Sequence, residues 1–420
     1  MASEWQKLAL GDLTEWSSGG TPPKSNPEFW GGDIPWISAS SMKTGRLSES
    51  DRTLTPEGLK RGSRLARKGN VLLLVRGSEL HKRIPVGIAV RDVSFNQDVK
   101  ALCAKNGLDK DFLYHWLAGN ETMLLSKVEN TGIGAGKLDT NVLKNLPVLL
   151  PPRPEQRRIA HILGTLDDKI ENNRKTAKTL EAMAQAIFQS WFVDFDPIRA
   201  KIAGESPESI CKRLKLTPEI LDLFPDRLVD SELGEIPEGW EVKPLGDLLE
   251  LAYGKPLKAE NRTNGNIPVY GSNGLIGWHD EKLIDGPGIV VGRKGNPGTV
   301  TWVESGFYPI DTTFYVIPIN RVGLRFLYHA LMRHDLTSLG ADSAVPGLNR
   351  NLAYISKQLV PHDSLDSVFE NLTEKLFLSI HNLNKQTMDG TEIRDTLLPK
   401  LISGEIRVPE VEHIIKNIEG

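Results

Sequence analysis

The side chains best suited to chemistry in this sequence are basic hydrogen-bond donors, concentrated in the first half of the chain. The segment from Lys43 to Arg91 contains twelve basic residues and four acidic ones, a local excess of eight positive charges. Such a segment can neutralise phosphate groups, although a basic surface that simply faces water fits the charge count equally well. The whole chain has a net charge of -3, so the placement of its charges, rather than their sum, decides what it can bind.

No set of reactive side chains indicates an enzyme. The glycines of Gly132-Ile133-Gly134-Ala135-Gly136 do not follow the G-x-G-x-x-G spacing, and Gly292-Arg293-Lys294-Gly295 lacks the order of a P-loop. His115 and His329 occupy matched positions in two FLYH segments, where packed structural histidines are expected rather than metal ligands. Asp194-Phe195-Asp196-Pro197 lacks the aromatic residue of an amino-methyltransferase loop. We therefore expect no catalytic and no metal-binding residues.

The composition is that of a folded protein of two or three domains, with 420 residues, 39% hydrophobic and 25% charged. No run approaches the roughly 18 apolar residues of a membrane span. The start, MASEWQKLAL, has no basic segment followed by an apolar one, so nothing marks the chain for export. Cys103 and Cys211 are far apart and lack metal-ligand spacing, so we expect a reducing cytoplasm.

The elements that must position the basic residues are duplicated, because the chain repeats itself at a spacing of a little over 200 residues. The matched positions are Trp5 and Trp240, LGDL at 10–13 and 245–248, Gly19 and Gly254, Ile34-Pro35 and Ile267-Pro268, Arg76 and Arg293, and Asp98 and Asp311. The strongest match is FLYHWL at Phe112–Leu117 with FLYHAL at Phe326–Leu331. Each copy combines short β-branched runs, bounded by glycines, with one clear helix, which predicts a mixed α/β (α+β) fold.

Each copy is followed by a long helix with apolar residues at alternating steps of four and three. The first seam is Leu166, Ile170, Asn173, Ala177, Leu180, Ala184, Ile187 and Trp191; the second is Leu365, Phe369, Leu372, Leu376, Ser379, Leu383, Gln386, Gly390, Ile393 and Leu397. Each seam must be buried, most simply in an antiparallel pair within the chain. A helix of some 38 residues is about 57 Å long and would carry the copies to opposite ends of a stiff spacer. An ordinary core helix and an intermolecular coiled coil are the alternatives.

These patterns divide the chain into six parts. They are a first globular copy at 1–150, a first long helix at 151–195, a connector at 196–239, a second copy at 240–361, a second long helix at 362–406 and a tail at 407–420. Pro154 in a first turn, Asp363 as an N-cap and Gly404 as a stop mark the helix ends. Thr217-Pro218 opens a short helix in the connector, to which we assign no role beyond linking.

Five segments give the chain a family resemblance. They are SGGTPPKSNPEFWGGDIPWIS at Ser18–Ser38, LPPRPEQRRIAHILGTLDDKIENN at Leu150–Asn173, FQSWFVDFDPIRAK at Phe188–Lys201, LGEIPEGWEVKPLGDL at Leu233–Leu248 and LLPKLISGEI at Leu397–Ile406. In them, and over nearly its whole length, the chain resembles the specificity subunit of type I restriction-modification systems.

The resemblance implies two target recognition domains, each reading one half of a bipartite DNA sequence, joined by two long antiparallel helices that form an intramolecular coiled coil. It also implies a non-catalytic subunit that docks two methyltransferase subunits and, in some complexes, restriction subunits that translocate DNA. S-adenosylmethionine and ATP are then expected on those partners, with no cofactor on this chain. The loops differ strongly between the copies, so base contacts cannot be transferred from one to the other.

Base-edge recognition requires donors and acceptors, which Arg, Lys, Asn, Gln and Ser supply best. The DNA-contact candidates are Lys24, Ser38, Ser40, Lys43, Arg46, Arg76, Ser78, Lys82 and Arg83 in the first copy, and Lys258, Asn261, Arg262, Ser272, Asn273, Arg293, Lys294, Asn296, Asn349 and Arg350 in the second. Each is also an ordinary polar loop residue, and most such residues bind nothing. An enzyme with its own recognition module and a coiled-coil scaffold without a DNA role are the competing interpretations.

Overall fold

A computed structural model describes residues 5–105, 107–131, 134–320, 322–340 and 347–411. Its contacts divide the chain into two compact units. Unit 1 is Met1–Asn172 with Thr387–Gly420, and unit 2 is Asn173–Gln386. Each unit thus combines one globular copy with parts of both long helices. The six-part division stays a prediction from the sequence.

The globular part of unit 1 is built from short strands and short helices. Its strands are β1 (Gln6–Ala9), β2 (Thr14–Ser18), β3 (Trp30–Ile37), β4 (Arg46–Leu47), β5 (Thr53–Leu54), β6 (Arg64–Ala66), β7 (Val71–Leu74), β8 (Arg76–Gly77), β9 (Val86–Ala89), β10 (Val93–Phe95), β11 (Val99–Ala104), β12 (Glu129–Asn130), β13 (Gly136–Lys137) and β14 (Pro147–Leu150). Its helices are α1 (Leu10–Leu13), α2 (Pro56–Gly62), α3 (Lys110–Gly119), α4 (Glu121–Leu125) and α5 (Thr140–Lys144), before the first long helix, α6 (Arg153–Phe192).

The core of unit 1 lies around a sheet of order β2-β11-β7-β9-β4. All four residues of β7, VLLL, are buried, because this strand lies in the middle of the sheet. A second sheet has the order β5-β3-β10-β6, and a small one has the order β12-β13-β8. Since β8 starts two residues after β7 ends, the small sheet holds the chain where it leaves the core.

Unit 2 contains the connector and the second globular copy. Its connector elements are α7 (Asp196–Ile202), α8 (Pro207–Leu214), α9 (Pro218–Leu221), β15 (Leu228–Ser231) and β16 (Gly234–Pro237). The remaining elements are β17 (Glu241–Pro244), β18 (Leu249–Tyr253), β19 (Ile267–Gly271), β20 (Gly274–His279), β21 (Gly288–Gly292), β22 (Val300–Val303), β23 (Tyr308–Pro309), β24 (Thr313–Pro318), α10 (Leu324–Arg333), α11 (Arg350–Ile355), β25 (Lys357–Val360) and α12 (Asp363–Ser403).

The second copy repeats the sheet plan of the first. Its main sheet has the order β18-β24-β21-β22, with the fully buried strand β21 inside it. A second sheet has the order β20-β19-β23, and β19 pairs in parallel with β23 as β3 does with β10. Gly19 and Gly254 show why glycine recurs: a Cβ would lie 2.0 Å from the carbonyl of Phe95 in one copy and 2.2 Å from that of Ile310 in the other. The duplication is therefore a feature of the fold.

The long helices pack against each other in an antiparallel pair within the chain, as predicted. The cross-helix pairs are Asp167 with Arg394 at 3.0 Å in unit 1, and Asn173 with Gln386 at 3.3 Å and Phe188 with Phe369 at 5.9 Å between ring centres in unit 2. In unit 1, Glu155 of α6 also pairs at 3.0 Å with Arg407, four residues after the end of α12. In both units the residue number on one segment rises as it falls on the other.

The predicted seam is accurate for α6 and partly wrong for α12. In α6, Ile170, Asn173 and Ala177 are buried as expected. In α12, Leu372 is 42% exposed, and Thr373 is buried instead. The buried positions 369, 373 and 377 recur in steps of four, so the contact line drifts around the helix, away from a strict seven-residue repeat.

The connector is part of the core of unit 2. Ile198, Ile210 and Phe224 pack in the same buried cluster as Trp191 and Phe369. Its α9 begins after the predicted cap and ends at Leu221. None of the described helices combines the length and apolar character that a bilayer crossing requires.

Candidate nucleic-acid interface

A structured loop follows the buried strand β21 in unit 2 and holds three of the candidate residues, Arg293, Lys294 and Asn296. The N–H of Gly292 donates to the carbonyl of Thr299 at 2.8 Å, and the N–H of Gly298 donates back to the carbonyl of Gly292 at 2.9 Å. These bonds close the loop on itself, so its polar side chains are presented on a fixed backbone.

Two of the candidate arginines share one aromatic ring. The guanidinium carbon of Arg293 lies 4.8 Å from the ring centre of Tyr253, and that of Arg350 lies 5.1 Å from it. Each guanidinium also donates to a backbone carbonyl, Arg293 to Asp311 at 2.9 Å and Arg350 to Leu251 at 3.4 Å. We call Tyr253, Arg293 and Arg350 the unit 2 cluster.

The neighbouring turn between β19 and β20 is tied to the same loop. The side-chain amide of Asn296 donates to that of Asn273, and the backbone N–H of Asn296 donates to Ser272 Oγ at 3.4 Å. Ser272 is buried, so its side chain supports the loop, whereas Asn273 and Asn296 are exposed. The structure thus brings Asn273 and Asn296 together beside Arg293.

Lys294 is exposed, and its backbone pairs with that of Gly347 in an isolated antiparallel bridge. Asn349 lies two residues after Gly347. Asn349 caps α11, because its side chain accepts the N–H groups of Asn351 and Leu352 at 3.1 and 3.3 Å. The cap orients the start of the helix from which Arg350 projects.

The remaining candidates of unit 2 lie on the turn before β19. Lys258 is exposed and pairs with Glu260 at 3.7 Å, and Asn261 is exposed. Arg262 donates to the carbonyl of Ile276 at 2.8 Å. Arg262 therefore ties its turn to β20.

In unit 1 the strand β7 also ends at a group of cations. Arg76 is exposed and stands opposite Lys137 in the pairing of β8 with β13. Burial lowers the pKa of Lys100, and the positive charges of Arg76 and Lys144 lower that pKa further, while Asp98 opposes them. We call Arg76, Lys100 and Lys144 the unit 1 cluster.

The other basic candidates of unit 1 are mostly engaged by the protein itself. Arg83 pairs with Glu79 at 3.2 Å and donates to the carbonyl of Met42 at 3.1 Å. Arg46 pairs with Asp168 of α6, so it faces the long helix. These contacts give both arginines structural partners within unit 1.

The exposed candidates of unit 1 lie in several separate places. Ser38 and Ser40 share a hydrogen bond at 3.0 Å on a short turn. Lys24, Lys43, Ser78 and Lys82 are all exposed. Lys43 and Arg83 line a cleft of about 490 Å³ together with Tyr114 of α3 and Arg394 of α12.

The histidines of the FLYH helices are buried in their units. Burial lowers the pKa of His115 to about 3 and that of His329 to about 4. The described residues include no group of three His, Cys, Asp or Glu side chains placed to hold a metal ion. In the glycine-rich segment at 132–136, Gly132 and Ile133 lie outside the described residues.

Sequence reasoning missed Tyr253, Lys100 and Lys144. Tyr253 ends a strand, so its position looks like that of a packing residue, yet the residue is 51% exposed. A signal was available: Tyr253 directly precedes Gly254, as Ser18 precedes Gly19. The matched glycines locate both residues at the same point of the fold.

Comparison with known proteins agrees with this geometry. A family model described as the type I restriction modification DNA specificity domain matches residues 2–182 and 237–352. The chain is 27% identical over 440 residues to the type I restriction enzyme MjaIX specificity subunit of Methanocaldococcus jannaschii, covering 97% of this chain and 95% of that protein. It is 28% identical over 358 residues to the HindI specificity subunit of Haemophilus influenzae, covering 70% and 77%.

The fold is also found in a solved structure. The S subunit of a type I restriction-modification system from M. genitalium superposes with a TM-score of 0.61 at 21% identity, covering 94% of this chain and 96% of that one. The likeness extends through both globular copies and both long helices.

Proposed function

Because this chain belongs to the family of type I restriction-modification DNA specificity domains, we propose that it is the sequence-specific DNA-recognition subunit of such a complex. It reads a bipartite target, with one half-site for each unit. The antiparallel helix pair sets the spacing between the half-sites.

The observation that carries this proposal is a repeated scaffold with different donors at matched places. In each unit a fully buried strand, β7 or β21, leads into an arginine, Arg76 or Arg293. Around Arg76 the neighbouring donors are lysines, whereas Arg293 shares an aromatic ring with a second arginine. Similar scaffolds with unlike donors suit two readers of different base sequences.

The proposal assigns the chemistry to partners. The chain itself is non-catalytic, and the long helices dock two methyltransferase subunits and, in some complexes, restriction subunits. S-adenosylmethionine and ATP bind those partners, while this chain needs no cofactor. We place the complex in the cytoplasm.

The test is an exchange of recognition units within the assembled complex. Residues 1–150 are replaced by the corresponding segment of a relative with a different target, and methylated positions are mapped across a genome. We expect one half-site to change and the other, with the spacer, to stay as in the parent. A change in both halves would overturn the model of two readers.

A second arm addresses the competing interpretations. Purified chain alone is tested for binding of S-adenosylmethionine and for DNA cleavage, and neither is expected. The assembled complex is then tested for DNA binding at stated salt, because affinity for DNA depends steeply on ionic strength. Activity of the chain alone would favour an enzyme, and absence of DNA binding by the complex would favour a scaffold.

A further inference from the structure

The unit 2 cluster brings two positive charges close together without a carboxylate partner. Both guanidinium carbons lie about 5 Å from the ring centre of Tyr253, so they are at most about 10 Å apart, a distance that spans roughly three base-pair steps. No ion pair joins Arg293 or Arg350 to an acidic side chain among the residues that the structure describes. The ring face offsets only part of their repulsion, so the cluster favours a ligand that supplies acceptors.

Both arginines keep donors for such a ligand. A guanidinium has five N–H donors, and among the described residues each of these two makes one hydrogen bond, to the carbonyl of Asp311 or of Leu251. That bond and the aromatic ring restrict the guanidinium while leaving most of its donors unused. Side chains restricted in this way lose less entropy when they bind.

Tyr253 is a fixed platform for the pair. It stands opposite Phe314 in the pairing of β18 with β24, and the two ring centres are 5.0 Å apart. Phe314 is buried in the core. The Tyr253 ring is thus anchored on one neighbour and exposed elsewhere, so both cations are positioned by the core of the sheet.

We propose that Tyr253 positions Arg293 and Arg350 as paired donors for a guanine edge in the half-site read by unit 2. Guanine presents two adjacent acceptors, O6 and N7, that an arginine can bind in a bidentate manner. The matched residue in unit 1 is Ser18, which accepts a hydrogen bond from Lys100 instead. The residue at this position therefore differs between the two copies on a similar scaffold, as expected where the two units read different bases.

The inference rests on the proposed function, and its test compares Tyr253→Leu with the matched control Tyr253→Phe, which keeps the ring. Both full-length variants are assembled with methyltransferase subunits, and binding is measured to the mapped target and to duplexes with each base pair replaced in turn. We expect Tyr253→Leu to reduce the preference for one guanine of the unit 2 half-site roughly 5- to 30-fold, at a position that Arg293→Ala also affects. Tyr253→Phe should stay within about twofold of the parent, and the unit 1 half-site should be unaffected.

Several results would overturn the inference. They are an unchanged preference with Tyr253→Leu, a uniform loss on every duplex, which would indicate phosphate contacts, and a unit 2 half-site without guanine. Equal losses for Tyr253→Leu and Tyr253→Phe would also contradict a role for the ring. If the parent complex discriminates no half-site at all, the proposed function itself fails. The melting temperature of each complex checks that the variants are folded.

Discussion

Glu370 accepts the backbone N–H of Phe326 at 2.8 Å, at the start of the FLYH helix α10. Asp366 of the same long helix accepts the N–H of Gly323, the residue before α10, at 2.8 Å, and in unit 1 the matching bond runs from the N–H of Asp109, before α3, to the side-chain carbonyl of Gln156 at 2.7 Å. These acceptors stand near the beginning of a long helix. The first turns of a helix have N–H groups without intrahelical partners, so each long helix holds its own globular copy by the same means.

Glu370→Ala should destabilise unit 2. The change removes the acceptor for Phe326 and leaves Arg325, which pairs with Glu370 at 3.4 Å, buried without its charge partner. Breaking a buried pair in this way costs about 3 kcal/mol, and hydrogen exchange of the α10 amides should rise. Glu370→Gln should keep an acceptor for the Phe326 N–H and therefore lose less stability. Equal exchange in the parent and in Glu370→Ala would contradict this role.

His329→Leu should reduce the loss of stability on acidification. Burial among Phe188, Phe369 and Phe377 lowers the folded pKa of His329 to about 4, below the usual 6.5. The unfolded chain therefore binds the proton first, and the stabilisation present above pH 6.5 is lost as the pH falls towards 4. Between pH 7 and pH 5 the free energy of unfolding, measured with urea, should fall by roughly 2 kcal/mol less in the variant than in the parent. An unchanged difference between the two pH values would contradict the burial of a neutral ring.

Asp366→Asn should stabilise unit 2 above neutral pH. Burial raises the pKa of Asp366 to about 7, while its bond from the N–H of Gly323 opposes the rise. The folded state holds the proton more tightly than the unfolded state, so the contribution present below pH 3.8 is lost as the pH rises through 7. Asparagine keeps an acceptor without the charge. Unfolding at pH 8 should need more urea in the variant than in the parent, while the exposed control Asp363→Asn should show no such gain.

Much of the fold could be predicted because the sequence contains two copies of the same pattern of elements. The matched LGDL and FLYH segments fix the order of elements in both copies, and the α6 seam from Ile170 to Ala184 follows a regular period. In α12 the sequence pattern places Leu372 in the buried seam, but the structure buries Thr373 and Phe377 and leaves Leu372 exposed. Hydrophobicity cannot reveal that shift, since it arises from the pitch of one helix against the other.

The site was harder to predict, because residue type does not show which partner a side chain takes. Arg46 and Arg83 look like Arg293 in the sequence, yet the first two are paired with acids of their own unit. Conversely, Tyr253 lies at a strand end and becomes important only because two arginines, distant from each other in sequence, both contact its ring. Contacts between residues so far apart in sequence depend on the packing of the whole unit.

Replacing Gly390 or Gly119 by alanine should change the stability of unit 1 in opposite directions. A Cβ at Gly390 of α12 would lie 3.4 Å from Ile170, an ordinary contact, so Gly390→Ala should stabilise by roughly 0.5 to 1 kcal/mol through helix propensity. A Cβ at Gly119 of α3 would lie 2.4 Å from Ile402 and 3.0 Å from Leu398, so Gly119→Ala should destabilise. Thermal unfolding of both variants checks the packing in unit 1. Shifts of the same sign would contradict it.

The central claim, two independent readers on one chain, is tested most directly by mapping methylated bases genome-wide in cells whose complex carries either Arg76→Ala or Arg293→Ala. Each substitution should relax the target at a single position, with discrimination there falling by about 1 to 3 kcal/mol, and the two positions should lie in different halves of the motif. Relaxation of the same half by both substitutions, or an unaltered motif with both, would contradict the account.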